Sequence, residues 1–248
     1  MAEPKRLKII ACEILYREIC LCAANSRNVV DVQFMPKGLH DLESADMVAK
    51  IQAQIDATDP ELYEAVLLGY ALCNNGVVGL TARRSPLVIP RAHDCITLFF
   101  GSRKRYNEYF SQYPGTFFKT TGWSERDFVT VPNTVMEKLG LKKTYQEYVE
   151  KYGEDNARYI MEQMGAWKRN YTTMAFIDMG IAEFLEYDKA AARQAQENGW
   201  EYRRLKGDIG LIRRLLDGEW REDEFLVLQP GESIVASNDD RILAAKIS

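Results

Sequence analysis

Four residues with the donor chemistry of a soft metal site stand at or just past the ends of apolar runs. Cys12 ends the run Leu7–Cys12, Cys73 ends Ala65–Cys73, and His93 and Cys95 follow Leu87–Ile89. Thiolate and imidazole are ligands that suit zinc and iron alike. If the backbone stays extended past Ile89, the His-x-Cys spacing puts His93 and Cys95 on one face. The runs read as buried parallel strands. In open α/β sheets, ligands bind in the crevice beyond the carboxyl ends of the strands. The three runs are therefore expected to carry Cys12, Cys73 and the His93/Cys95 pair to one edge of a sheet.

Other residues around these ends have chemistry to offer. Glu13 follows Cys12; it points to the opposite face in an extended strand, but at a strand-to-helix turn it becomes a base or a partner of a ligand. Arg91 shares strand parity with His93 and Cys95, the place for a clamp on an anionic substrate. Asp94 could orient His93. His40 lies past the run Val29–Met35 and the turn Pro36-Lys37-Gly38, within reach of the same crevice as a ligand or proton-transfer group; the alternative is a loop histidine bonded to backbone. Asn74-Asn75-Gly76 reads as a tight turn, with Asn74 and Gly76 offering positive φ or backbone N–H groups to a bound molecule. Trp123, beside Gly122 at the end of the run Thr116–Thr120, is either a wall of the site or a core residue. Neither G-x-G-x-x-G nor a phosphate-loop pattern occurs.

The elements that must position these residues alternate. Strand, helix, strand, helix repeats from Leu7 to Thr120, with Ile14–Ala24 and Leu42–Ala57 as helical patterns. Cys20 and Cys22 lie on the first of these and read as small core residues. Residues 124–170 are helical and strongly charged, with Tyr145, Tyr148, Val149 and Tyr152 at helical spacing. The last third alternates again: strand Thr172–Ile177, helix Ile181–Asn198, strand Trp200–Leu205, helix Ile209–Leu216, strand Phe225–Leu228. Asp178, Asp208 and Gln229 stand past these apolar runs, facing the first part across a cleft or capping helices. The expected fold class is α/β, with two lobes of largely parallel, doubly wound sheets and a helical insert. The lobes are residues 1–123, carrying the Cys/His site, and 171–248, with the insert at 124–170.

Composition narrows the function classes. The chain has 248 residues and a formal net charge of −4, with both signs interspersed. No basic block or aromatic-basic stripe suggests a nucleic-acid partner. No apolar run approaches the ~18 residues that span a bilayer, and the N-terminal segment lacks the apolar core of a signal peptide. Cytoplasmic location is expected. Five cysteines, an odd number, speak for metal, catalytic or packing thiols over a disulfide framework.

Ile9-Ile10-Ala11-Cys12-Glu13, Gly69-Tyr70-Ala71-Leu72-Cys73-Asn74-Asn75-Gly76, Pro90-Arg91-Ala92-His93-Asp94-Cys95, Gly101-Ser102 with Tyr106, Pro114-Gly115-Thr116 and Gly122-Trp123 together resemble an uncharacterised family, domain of unknown function 1638. The resemblance spans most of the chain. It carries no established activity; it implies an association with corrinoid-dependent methyltransferase systems and hence a corrinoid protein as partner. The corrinoid-ligating D-x-H-x-x-G pattern is absent.

The residues themselves leave several readings open. Zinc on Cys12, Cys73, His93 and Cys95 is structural with all four bound, and open to a substrate thiol or water with three. An open zinc activates a thiol as methyl acceptor, which suits a methyltransferase of one-carbon metabolism acting on a small molecule. Three cysteines could instead hold a [4Fe–4S] cluster with one free iron. A reactive cysteine with His93 as base, thiols buried for packing, and a non-catalytic metal or corrinoid partner protein are the remaining readings.

Overall fold

The computed structural model describes residues 3–73, 75–126, 145–165 and 169–247. The chain opens with β1 (Arg6–Cys12), a 3-10 turn (Glu13–Leu15), α1 (Tyr16–Asn25) and β2 (Val29–Met35). A second 3-10 turn (Lys37–Asp41) and α2 (Ser44–Asp56) lead to β3 (Ala65–Gly69) and then β4 (Leu87–Pro90). Every residue of β3 and β4 is buried. This is why they read as unbroken apolar runs: parallel strands are covered on both faces.

These strands form a sheet of order β2-β1-β3-β4, all parallel. The chain steps from β1 outward to β2, then crosses back over β1 to β3. With right-handed crossovers, α1 and α2 must lie on opposite faces. The strand order therefore reverses between β1 and β3, the place where doubly wound sheets leave a crevice. Where these two strands meet, the fit is close: a Cβ on Gly69 would stand 2.4 Å from the Cβ of Ala11.

After β4 come α3 (Cys95–Phe100) and α4 (Arg103–Gln112), then β5 (Thr116–Thr120) and α5 (Thr121–Glu125). The helical segment supplies α6 (Tyr145–Tyr152) and α7 (Glu154–Gly165), which pack on each other, with Tyr148 buried. β6 (Thr173–Asp178), α8 (Tyr187–Asn198) and β7 (Glu201–Lys206) follow. β5, β6 and β7 form a second parallel sheet. α8 covers it over a small core of Met174, Phe176, Ala191 and Ala195.

The last third does not stay with that sheet. α9 (Gly210–Asp217) packs on α1, β3 and β4, and β8 (Phe225–Leu228) pairs antiparallel with β4. β9 (Glu232–Ala236) and β10 (Leu243–Ile247) form a ribbon, with β9 bonded to Gly79–Ala82. Of the expected lobe 171–248, only about its first half builds the second sheet. Local alternation marks each strand and helix but says nothing about which sheet it joins. The decision falls to Leu211, Ile212, Leu215, Leu216, Phe225 and Leu228, all buried in the main core.

Candidate functional site

The carboxyl ends of the two sheets face each other. A Cβ on Gly122, at the start of α5, would stand 1.7 Å from the carbonyl oxygen of Ile14, in the turn after β1. Asp208, past β7, donates its N–H to the Phe99 carbonyl at the end of α3 (2.9 Å). Ile177 and Leu205 join the main core. Cys12, Cys73 and Cys95 gather at this junction.

Cys12 is the last residue of β1 and is 2 % exposed. Burial pushes its thiol up to about 12, opposed by a backbone hydrogen bond from Ile14 where the chain turns into the 3-10 helix. Its Sγ lies 3.8 Å from His40 Nε2. His40 is held there by Glu13, whose Oε1 accepts the N–H of Lys37 (2.9 Å) and so ties the 3-10 turn Lys37–Asp41 to the end of β1. Glu13 Oε2 also faces Arg126 at 3.8 Å. In this geometry Glu13 positions the imidazole. Burial lowers the pKa of His40, against the opposing charge of Asp41, so the ring is neutral at pH 7.

Cys73 lies beyond β3. The link Tyr70–Leu72 runs alongside Ala92–His93: Leu72 N–H bonds to Ala92 O and Cys73 N–H to His93 O, both at 2.9 Å. Cys73 then adopts φ +45°, turning the chain sharply. Its thiol is also pushed up to about 12 by burial, opposed by backbone bonds from Ala71 and Cys95.

Cys95 is the first residue of α3 and is buried. Asp94 caps the helix, its Oδ1 accepting from Thr97 N (3.3 Å) while Oδ2 takes the Tyr106 hydroxyl (2.8 Å). Burial raises the Cys95 thiol far above its usual range; the charges of Cys73, Asp94 and Cys12 raise it further, and a side-chain hydrogen bond from Trp123 pulls the other way. Lys37 Nζ sits 5.1 Å from the centre of the Trp123 ring. Trp123 thus walls the thiols on the side of the second sheet.

Several expected site residues fall elsewhere. His93 is exposed while Cys95 is buried, so the two do not share a face. The strand ends at Pro90 and Asp94 starts a helix, which removes the extended backbone that the shared face required. Arg91, expected as a clamp on an anionic substrate, has its buried guanidinium bonded to the carbonyls of Glu222, Phe225, Arg241 and Leu243, where it locks the C-terminal segments to β4. The Gly76 N–H bonds to Cys73 O (3.1 Å) and closes the turn on itself, and the residue packs under Met47. Asn74 lies outside the described residues. Asp178 pairs with Arg204 of its own sheet (2.6 Å). Sequence reasoning passed over Tyr70, whose buried hydroxyl lies near Cys12 and Cys73; its one signal was a polar atom inside an apolar run three residues before a cysteine.

A soft metal ion suits the donors by type: three sulfurs and a neutral imidazole. Nearby N–H groups, of Ile14 for Cys12, of Ala71 and Cys95 for Cys73 and of the Trp123 side chain for Cys95, partly offset the effect of burial on the thiols. As the side chains stand, no three His, Cys, Asp or Glu among the described residues are close enough together to hold an ion.

Fold and site define a class: a two-sheet α/β protein with a buried thiol–imidazole cluster where its strand ends meet. The chain belongs to the family described as protein of unknown function (DUF1638), which it matches over residues 34–216. That stretch includes His40, Cys73, His93, Cys95 and Trp123. No curated protein and no solved structure matches the chain. Among the described residues, no helix is long and apolar enough to cross a membrane.

Proposed function

We propose that Cys12, Cys73, Cys95 and His40 form the ligand set of a soft metal ion, zinc first. In this reading the chain is a metal-dependent enzyme of one-carbon metabolism, a methyltransferase that activates a small-molecule thiol or similar acceptor. The observation that carries it is the gathering of Cys12, Cys73 and Cys95, with His40 3.8 Å from Cys12, at the strand ends where parallel sheets bind ligands. With only three of these four residues bound and one position left open, zinc would keep a substrate thiol ionised at neutral pH and so make it a nucleophile.

The chain's own residues do the rest. The N–H groups of Ile14, Ala71 and Cys95 and the Trp123 side chain stabilise negative charge on the sulfurs. His40, kept neutral by burial, offers a ring nitrogen as ligand or proton acceptor. The second sheet, docked through Gly122 on the turn after Cys12, excludes water from the cluster. The methyl donor would be a corrinoid carried by a partner protein, on the strength of the family resemblance. Five free cysteines suit a reducing compartment, the cytoplasm.

The same sulfurs and donors also favour a [4Fe–4S] cluster held by the three cysteines. Metal analysis of anaerobically prepared protein separates the two. A colourless protein with about one zinc per chain, lost in Cys12→Ala, Cys73→Ala and Cys95→Ala, supports the first reading. A brown protein with iron and sulfide supports the second. Wild-type protein that takes up neither, or variants that keep their metal, would remove both.

A further inference from the structure

β2 closes one side of the main sheet, in unbroken register with β1 along its whole length. Its other side is an edge. The Val29 N–H donates to Lys5 O (2.9 Å), so Val29, Asp31, Gln33 and Met35 bond towards β1. By alternation, the N–H and C=O groups of Val30, Val32 and Phe34 point outward, and among the described residues nothing bonds to them. Such an edge is a template for another strand, and chains blunt it with charges, proline, bulges or short length. β7, at the edge of the second sheet, carries Glu201, Arg203, Arg204 and Lys206. β2 has seven residues, no proline and one charge, Asp31, which is held by Arg6 and Tyr63 of its own chain. Val29 is 53 % exposed, and half-exposed Tyr16 extends the apolar strip by packing on Phe34, with 5.0 Å between ring centres.

We propose that β2 pairs with β2 of a second copy of this chain, antiparallel about a two-fold axis perpendicular to the sheet. The two main sheets then become one. That axis keeps each face continuous, so residues opposite one another must come from the same face of the strand. The register centred on Val32 is the one that uses all three outward residues: Val32 meets Val32, and Val30 meets Phe34, each pair exchanging N–H and C=O. The side chains agree with it. Asp31 falls opposite Gln33, twice by symmetry. Arg6 and Tyr63 both bond to Asp31 Oδ2, and Oδ1 has no bond among the described residues. Gln33 gives one amide hydrogen to Gln54 and has a second to give. A register centred on Asp31 would instead set two carboxylates face to face, which destabilises a strand pair. The strand is its own complement in hydrogen bonds and in charge, and this points to a second copy over a foreign strand.

The test is sedimentation of the full chain over a dilution series, for wild type, Val32→Pro and Gln33→Glu, with circular dichroism of each. Wild type is expected to be a dimer that dissociates on dilution. Proline at position 32 removes an outward N–H and leaves the bonds to β1 in place, as proline does where it is tolerated at edges; V32P should be a folded monomer. Gln33→Glu keeps the side-chain shape and puts a carboxylate opposite Asp31 in both halves, so its dimer should be about tenfold weaker and recover in high salt. Wild type that stays monomeric throughout overturns the proposal. A folded V32P that dimerises as tightly as wild type also overturns it, because the interface then lies elsewhere. Should V32P fail to fold, Gln33→Glu decides: an unchanged dissociation constant overturns the pairing, and a weakened, salt-rescued one supports it.

Discussion

Gly122→Ala tests whether the docking of the two sheets builds the site. Gly122 lies within α5 and outside the positive-φ residues, so alanine meets no backbone penalty there. By helix propensity alone the change should stabilise by up to about 1 kcal/mol. The structure reverses the sign. The new methyl would stand 1.7 Å from the Ile14 carbonyl oxygen and 2.6 Å from its carbon. An ordinary carbon–oxygen contact is about 3.3 Å, so α5 and the 3-10 turn must part by roughly 1.5 Å. Both sides of the contact are backbone, which no rotamer change relieves. Overpacking of this kind costs about 3 kcal/mol, leaving a net loss of about 2 kcal/mol. For a chain of this size that lowers the melting temperature by roughly 4–8 °C in a thermal scan. Trp123 is the next residue, so the same variant should shift tryptophan emission and weaken metal retention. A G122A protein that melts at or above wild type would refute the close docking and the enclosed cluster built on it.

The remaining predictions concern single groups. Glu18 is buried with neither carboxylate oxygen partnered among the described residues, and burial raises its pKa from 4.5 to about 7. It stays protonated in the fold and ionises on unfolding, so stability falls as pH rises from about 4.5 to about 7, by about 3 kcal/mol, and then levels. Melts from pH 5 to 8 should slope downward in wild type and be flat in Glu18→Gln; parallel curves would show that Glu18 is not the group responsible. Arg91→Met strands carbonyls that its guanidinium now satisfies, and chemical denaturation should show a loss of about 3 kcal/mol or more with metal uptake unchanged; loss of binding in a stable R91M would restore the clamp. His40→Ala should lower zinc affinity by at least about tenfold and exposed His93→Ala should not, and the opposite ranking in a chelator competition would return His93 to the site.

The strand ends were the legible part. β3 and β4 are buried throughout and β1 from Ile9 onward, so their residues are apolar there, and the cysteines stand at or just past the ends of these runs. His93 misled because its role required an extended backbone past Ile89, whereas Asp94 carries the side chain that starts a helix and caps α3. His40 stood as one option among two, since what fixes it is the long-range bond from Lys37 N–H to Glu13, which no local spacing encodes. Arg91 had the right parity for the crevice. Its partners are carbonyls more than a hundred residues away, in segments whose return to β4 no local pattern announces.

These readings share one electrostatic root. Burial between the sheets raises all three thiols and lowers the imidazole, so each group is held neutral. A nucleophilic cysteine needs the reverse, a thiolate favoured by a nearby cation or helix end. That sets the cluster against the reactive-cysteine reading with His40 as base. In so dry a place, negative charge on the sulfurs would need a bound cation to sustain it. The burial that silences these thiols as free nucleophiles thus argues for them as ligands.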